Sequence, residues 1–537
     1  MGTVDTSSEL VETRSGAIKG IKIISEEGLT HYQFHGIPYA QAPVGRLRFK
    51  APLPIRPWTD ILDASKKGPY CYQKIDFQPE VLSDMSEDCL HLSIYTEDLD
   101  SKLKPVMIWI HGGGFTEGSG NDYTPANLIR AGVIVVTINY RIGSLGFLTF
   151  GNDIVSGNMG LKDQALAIQW VKQNIENFGG NPNKITIFGE SAGGMSVHAQ
   201  VLSPWNYGQI QGAIAQSGTM LYYNNIKSFG KREERYAEKA AEVLECPIPI
   251  PIPNTNAQYE LDQSLLQCLQ SFDIKLLNEK LALTLDEYFD SNAASPFEWR
   301  PVIDNYASNP FLPLDPLEAL KTGTFNRIPF ISGTVKNEGA LMVGLFNTQG
   351  VSRETLIDNW GSFGAPLILN APSRKNISTE EKMLANISLK YYNHPVGDAG
   401  VSLDQPLMDL FTDASFVSPD QKTVELMSKY TPNVFNYYLT QQTNNSLLGM
   451  YLKQGKEYTP VHGDDLLFMM DVYGQKTTDS ESALSKHMVK YWTNFAKYGH
   501  PSPSAQDVPI WDPVTETENV RYLFVRFLSK TIFFRTT

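Results

Sequence analysis

The pentapeptide Gly189-Glu190-Ser191-Ala192-Gly193 sets one serine between two glycines, directly after the apolar run Ile185-Thr186-Ile187-Phe188. A serine hydroxyl is a poor nucleophile until it is held exposed and a base takes its proton. A G-x-S-x-G turn does the first, because its glycines clear room for a sharp strand-to-helix turn that presents the hydroxyl above a strand end. Ala192 to Leu202 follows with no proline and a helix-compatible apolar pattern, so the stretch reads as strand, turn, helix. The competing reading is an ordinary tight βα turn. What separates the two is whether the chain also supplies a base, an acid to orient it, and donors for an oxyanion.

Donors are offered by His111-Gly112-Gly113-Gly114-Phe115, which follows the apolar run Val106–Ile110. Consecutive glycines let the backbone N–H groups of Gly113 and Gly114 approach a substrate, and the N–H of Ala192 completes the set, with Gly112 shaping the turn. The base must be chosen among nine histidines. His462 is favoured: Gly463-Asp464-Asp465 put it in a loop beyond the run Val434–Leu439, late in the chain, in the order serine, acid, histidine. His111 reads as structural, and His198, inside the helix after the nucleophile, as packed or solvated. For the acid, Glu338 stands five residues after Gly333, at the mouth of a predicted strand.

These residues need a scaffold that brings strand ends together. Val106–Ile110, Val133–Ile138 and Ile185–Phe188 are nearly continuous apolar runs, the mark of strands buried on both faces. Between the last two, Leu161, Ala165, Ile168, Val171 and Ile175 recur at helical spacing and Gly179-Gly180 closes the helix. The βαβ order predicts an α/β fold with a mostly parallel sheet. Val11–Ile24 reads as an antiparallel hairpin, and Gly212–Gly218, Pro329–Gly333, Val434–Leu439 and Tyr522–Phe527 as further strands. Two long, irregular helical stretches, Lys231–Phe325 and Arg353–Thr431, are where pocket walls would be built. Leu484, Met488, Tyr491, Trp492 and Phe495 form a last amphipathic stripe. No repeat or linker divides residues 1–537, which read as a single domain.

Composition bounds the partners. The 58 acidic against 45 basic residues give a formal charge of -13, which argues against nucleic acid and anionic membrane surfaces. No run reaches the ~18 apolar residues of a membrane span. Cys71 and Cys89 bracket one loop-like stretch and Cys246 and Cys268 another; sequential pairing would close two short loops, each crosslink worth ~3 kcal/mol. Four cysteines allow three pairings, and four free thiols in a cytosolic enzyme remain the alternative. Asn376, Asn386 and Asn444 begin glycosylation sequons, which carry meaning only in a secreted chain. Met1–Ser8 is polar, so a secreted, extracellular protein requires a signal already removed; the alternative is a cytoplasmic one. Arg46 and Arg48 lie in a loop and Glu87-Asp88 precedes Cys89, so a buried ion pair or solvated charges would both fit.

Taken together, His111-Gly-Gly-Gly-Phe115, Asn139-Tyr-Arg141, Gly160-Leu-Lys-Asp-Gln164, Gly189-Glu-Ser-Ala-Gly-Gly194, Gly333-Thr-Val-Lys-Asn-Glu-Gly339, His462-Gly-Asp-Asp465 and Ser86-Glu-Asp-Cys-Leu90 resemble the type-B carboxylesterase/cholinesterase family. The resemblance runs from about Val11 to Phe527. It implies an α/β-hydrolase fold whose helical insertions form a gorge, a triad of Ser191, Glu338 and His462, and an oxyanion hole at Gly113, Gly114 and Ala192. It also implies disulfides Cys71–Cys89 and Cys246–Cys268, and buried pairs Arg46–Glu87 and Arg141–Asp163. The aspartate pair after His462 resembles the insect branch. Cholinesterases carry a tryptophan in the first disulfide loop for cation–π contact with a quaternary ammonium. Here the stretch between Cys71 and Cys89 has none, which argues against choline esters. Juvenile hormone esterases resemble the family too but usually carry Gln where Glu190 stands. The expected activity is thus a serine carboxylesterase acting on uncharged small-molecule esters of xenobiotic, odorant, pheromone or lipid type, without metal or organic cofactor, as a monomer or weak homodimer. The alternatives are a juvenile hormone esterase, or a non-catalytic adhesion or sequestration protein on the same fold.

Overall fold

The computed structural model describes residues 3–24, 30–73, 84–99, 103–223, 240–246, 257–281, 299–348, 360, 379, 383, 386–387, 405–448, 459–475, 478–504, 506, 508–515, 522–525 and 534–535. Its main sheet has 13 strands. In chain order these are β1 (Thr3–Glu12), β2 (Ala17–Ile24), β3 (Thr30–Pro38), β4 (Leu62–Asp63), β5 (His91–Thr96), β6 (Lys104–Ile110) and β7 (Ile134–Ile138). They continue with β8 (Gly180–Glu190), β9 (Gly212–Gln216), β10 (Phe330–Val335), β11 (Val434–Leu439), β12 (Tyr522–Val525) and β13 (Phe534–Arg535). Across the sheet the order is β1-β2-β3-β5-β7-β6-β8-β9-β10-β11-β12-β13, with β4 beside β2. From β7 through β12 neighbours run parallel, while β1, β2, β3 and β5 at one end and β13 at the other are antiparallel.

The side-chain alternation of a strand explains the two cores. Val106, Ile108 and Ile110 of β6 point into one hydrophobic cluster with Ile168 and Val171 of α1 (Met159–Asn174) and Val197 of α2 (Ala192–Leu202). Met107 and Trp109, from the same strand, point into a second cluster with Met488, Tyr491 and Trp492 of the carboxy-terminal helix. A strand covered on both faces has no solvent side, which is why its sequence is an unbroken apolar run. The helices between α2 and that last helix include α3 (Ala257–Ser271), α4 (Ala340–Thr348), α5 (Gln405–Thr412) and α6 (Ser418–Ser428); the last is α7 (Ser482–Tyr498). α7 stops where the Gly499 N–H bonds to Phe495 O at 2.8 Å with Gly499 at φ 68°, a left-handed cap that favours glycine. α3, α5 and α6 lie in the two predicted insertions, together with the short helices Ile274–Leu281 and Pro316–Thr322; parts of both insertions lie outside the described residues.

Parallel strands direct all their carboxyl ends to one edge of the sheet. Onto that edge open the glycine loop after β6, Ser191 after β8, Ser217 after β9 and Glu338 after β10. Below it the fold is pinned by buried charge. Asp163 accepts two hydrogen bonds from the Arg141 guanidinium, at 2.7 and 2.8 Å, and one from the Arg141 N–H at 3.1 Å. The Arg46–Glu87 pairing is corrected: Glu87 is held by Arg48, with Nε–Oε1 2.7 Å and Nη2–Oε2 2.8 Å. The cause is a single 3-10 turn, Gly45–Leu47, which leaves Arg46 exposed and swings Arg48 inward, where it also donates to Leu269 O and Phe272 O. Cys71 is bonded to Cys89 and Cys246 to Cys268, with Cα–Cα distances of 5.0 and 6.0 Å. Asn386 and Asn444 are exposed, and Asn376 lies outside the described residues. Among the described residues no helix is long and apolar enough to cross a membrane.

Candidate active site

Ser191 sits at φ 59°, ψ -123°, a region that a non-glycine residue enters only where its surroundings hold it there. What holds it is backbone on every side. Its N–H donates to Gln216 O on β9 at 2.9 Å, and its carbonyl accepts from Met195 N at 2.9 Å. A Cβ on Gly193 would lie 2.1 Å from Ile110 O, and one on Gly218 would lie 2.2 Å from Ser191 O. The glycines therefore allow a close approach of α2, β6 and the β9 end, and the serine is the residue left facing outward.

The glycine loop runs beside it: a Cβ on Gly112 would fall 3.2 Å from Ser191 Cβ. Gly113 and Gly114 adopt φ 102° and 62°, which turns the loop, and Thr116 and Glu117 N–H groups close it onto Gly113 O at 2.9 and 3.0 Å. Gln73 clamps its far end, accepting from Gly118 N at 2.8 Å and donating to Gly118 O at 3.2 Å. Ala192 is the first residue of α2, so its N–H has no acceptor within the helix and carries the positive end of the helix dipole. Gly113, Gly114 and Ala192 are thus grouped where an oxyanion could be met.

His462 is 7% exposed, with Nδ1 2.6 Å from Glu338 Oε2. The other Glu338 oxygen accepts from Val335 N at 2.8 Å, which ties the acid to the end of β10. On its opposite edge the imidazole meets a second carboxylate: Nε2 lies 3.1 Å from Glu190 Oε1, off the axis of a hydrogen bond. The Phe416 ring packs on it at 5.0 Å between centroids. Burial opposes a charged imidazole here, but Glu190, Glu338 and Asp465 together outweigh it and raise His462 to about 9. Burial lifts Glu190 to about 8, with the His462 charge pulling the other way and Asp465, Glu338 and Asp464 adding to the rise. Asp465 accepts from Gln216 Nε2 at 2.8 Å and from the Tyr437 hydroxyl at 2.6 Å.

Ser191, Glu190, His462 and the glycine loop line one cavity of about 190 Å³. Its lining includes a group of leucines, Leu341 and Leu345 from α4 with Leu447, Leu448 and Leu466, and also Tyr70, Gln73, Asp122, Tyr123 and Tyr473. A nucleophile-bearing turn, an imidazole on a carboxylate, grouped N–H donors and a mostly apolar cavity can together carry out acyl transfer. The triad candidates and oxyanion candidates are brought to one place. His111 instead stacks on Tyr140 with centroids 4.3 Å apart, and His198 is fully buried with Nδ1 accepting from Met220 N, so both are packed away from the serine. Sequence reasoning did not find the Glu190–His462 contact or the leucine wall. Adjacency of Glu190 to Ser191 was a signal for the first; nothing local marks the second.

The carboxylesterase family profile matches residues 7–531. The chain is 34% identical over 527 residues to a juvenile hormone esterase of Tribolium castaneum, covering 93% of this chain and 84% of that one. It is 33% identical over 527 residues to a carboxylic ester hydrolase of Bombus ignitus, covering 96% and 89%. Among solved structures it resembles the juvenile hormone esterase of Manduca sexta, with a TM-score of 0.81 and 25% identity over 99% of this chain and 96% of that one. The fold is that of an α/β-hydrolase. The chain belongs to the carboxylesterase family, and it is a carboxylic ester hydrolase acting on a small-molecule ester.

Proposed function

We propose that Ser191 is the nucleophile, His462 the general base and Glu338 the acid that orients it, with Gly113, Gly114 and Ala192 as oxyanion donors. The observation that carries this reading is the His462 edge bonded to Glu338 while Ser191 and His462 face one cavity. His462 takes the hydroxyl proton as Ser191 Oγ bonds to the ester carbonyl carbon. The resulting oxyanion is met by the N–H groups; collapse breaks the C–O bond to the alcohol, which leaves with the proton from His462. Water, deprotonated by His462, then attacks the acyl-enzyme and releases the acid. A Ser191→Ala variant should keep under about 1% of turnover and form no organophosphate adduct, since the nucleophile is gone. Retained activity in a pure preparation would overturn the assignment.

The substrates are uncharged, lipophilic esters, supported by the leucine wall and by carboxylates around the cavity that would repel an acidic ester. A second reading, a juvenile hormone esterase, is favoured by the Tribolium and Manduca relatives. A panel of p-nitrophenyl and long-chain alcohol esters, a choline ester and juvenile hormone separates them. The catalytic unit occupies residues 1–537 as a single domain, working as a monomer or weak homodimer in an extracellular setting where both disulfides are stable. In that setting Asn376, Asn386 and Asn444 are candidates for glycans.

A further inference from the structure

Asp464 has no part in the acyl-transfer steps, yet it is a carboxylate with 0% exposure two residues beyond His462. Such a group is costly to bury unless its oxygens are bonded. Here Oδ2 accepts from Val461 N at 2.9 Å and from the Thr443 hydroxyl at 3.0 Å, and Oδ1 accepts from Leu447 N at 3.0 Å. The Thr443 backbone is tied to the same loop a second time, donating to Thr459 Oγ1 at 3.2 Å while its carbonyl accepts from that hydroxyl at 3.1 Å. One carboxylate therefore joins two chain segments: the loop that carries His462, and the segment 443–448 that carries Leu447 and Leu448. Both leucines line the cavity onto which Ser191 opens. Leu447 Cδ1 also lies 3.7 Å from the position a Cβ would take on Gly463, so the wall abuts the histidine loop.

The outer end of segment 443–448 is anchored independently. The Asn444 N–H donates to Glu481 Oε1 at 2.9 Å, and its side-chain amide donates to the Thr478 and Ser480 hydroxyls at 2.9 and 3.0 Å. Loss of Asp464 would accordingly release the inner, cavity-facing end while the outer end stays attached to the start of α7. His462 bonds to Glu338 and abuts Glu190, while the hydrogen bonds of Asp464 run to Val461, Thr443 and Leu447, so its direct hold is on the wall and it reaches the proton path through its charge near Glu190.

We propose that Asp464 is a positioning and specificity-determining residue for ester hydrolysis, which locks the Leu447–Leu448 wall at a fixed distance from His462 and so sets the bulk of ester group accepted on that side. This rests on Ser191 and His462 being the catalytic pair. The test compares wild type with Asp464→Asn, Thr443→Val and Leu447→Ala on p-nitrophenyl acetate, butyrate and octanoate, with active sites counted by organophosphate titration. Asp464→Asn should change the octanoate-to-acetate ratio of KM by about 10-fold, with Thr443→Val smaller and Leu447→Ala in the same direction, because a methylene in an apolar pocket is worth discrimination of that order. An equal loss on all three esters, or an unchanged ratio in every variant, overturns the proposal. If Asp464→Asn fails to fold, Thr443→Val and Leu447→Ala still decide it. Absence of titratable sites in the wild type would instead overturn the acyl-transfer reading.

Discussion

Two carboxylates flank the His462 imidazole, and their positions give them different effects. Glu338 bonds to Nδ1 and fixes which way the ring faces, whereas Glu190 approaches Nε2, the edge that must exchange a proton with Ser191. The active form of a general base is the neutral one, so the rate rises as pH climbs through its pKa. Glu190 is the largest of the charges that raise His462 to about 9 against the effect of burial. Glu190→Gln keeps the shape and removes the charge, so His462 should lose its proton at lower pH and the acidic limb of kcat/KM should move toward acid. The plateau kcat should fall several-fold, because the same charge stabilises the imidazolium that forms during attack. A pH–rate profile checks both effects. A limb that does not move would show that Glu190 and His462 are not coupled in solution.

At the scale of elements, the site depends on how closely α2 can come to β6. The approach is set by Gly193, where the nearest heavy atom to an added Cβ is the backbone oxygen of Ile110 at 2.1 Å, a contact that no side-chain rotation relieves. Gly193→Ala must push the helix start away from β6, and with it the Ala192 N–H and the strained Ser191 backbone. We expect kcat to fall ~100-fold or more, as when an oxyanion donor is displaced, alongside a stability loss of about 1–3 kcal/mol from overpacking. Steady-state kinetics and urea unfolding measure the two separately. Wild-type kcat in the alanine variant would mean that the elbow relaxes without moving its donor.

For the molecule as a whole, the buried titratable groups predict how stability varies with pH. Burial raises Asp420 and Asp464 to about 7, so these carboxyls hold protons in the folded chain that the unfolded chain has lost. His462, raised to about 9, does the same over that range. Where the folded state binds more protons, stability falls as pH rises. Lowering pH from about 8 to about 6.5 should therefore stabilise the protein. Below 6.5 the buried His198, His35 and His111 act in the opposite sense: burial holds them near 3, 4 and 4, so they stay neutral when folded and charge when unfolded. The gain should level off there. Urea midpoints across this pH series test the pattern, and a midpoint that rose from pH 6.5 to 8 would contradict it.

Much of this was written locally. The strands β6, β7, β8 and β11 are legible because a strand covered on both faces must be apolar at every position, and the elbow is legible because only glycine tolerates the contacts around Ser191. Glu338 and His462 could be proposed from their places beyond predicted strand ends, since parallel strands deliver those ends to one edge. The tertiary structure alone decided what touches His462 on its second edge, that Arg48 and not Arg46 reaches Glu87, and that Asp464 ties the leucine wall to the histidine loop. Those contacts join residues far apart in sequence, or depend on which way a single turn faces a side chain. Neither spacing nor residue type records such a choice; it is made when the elements pack.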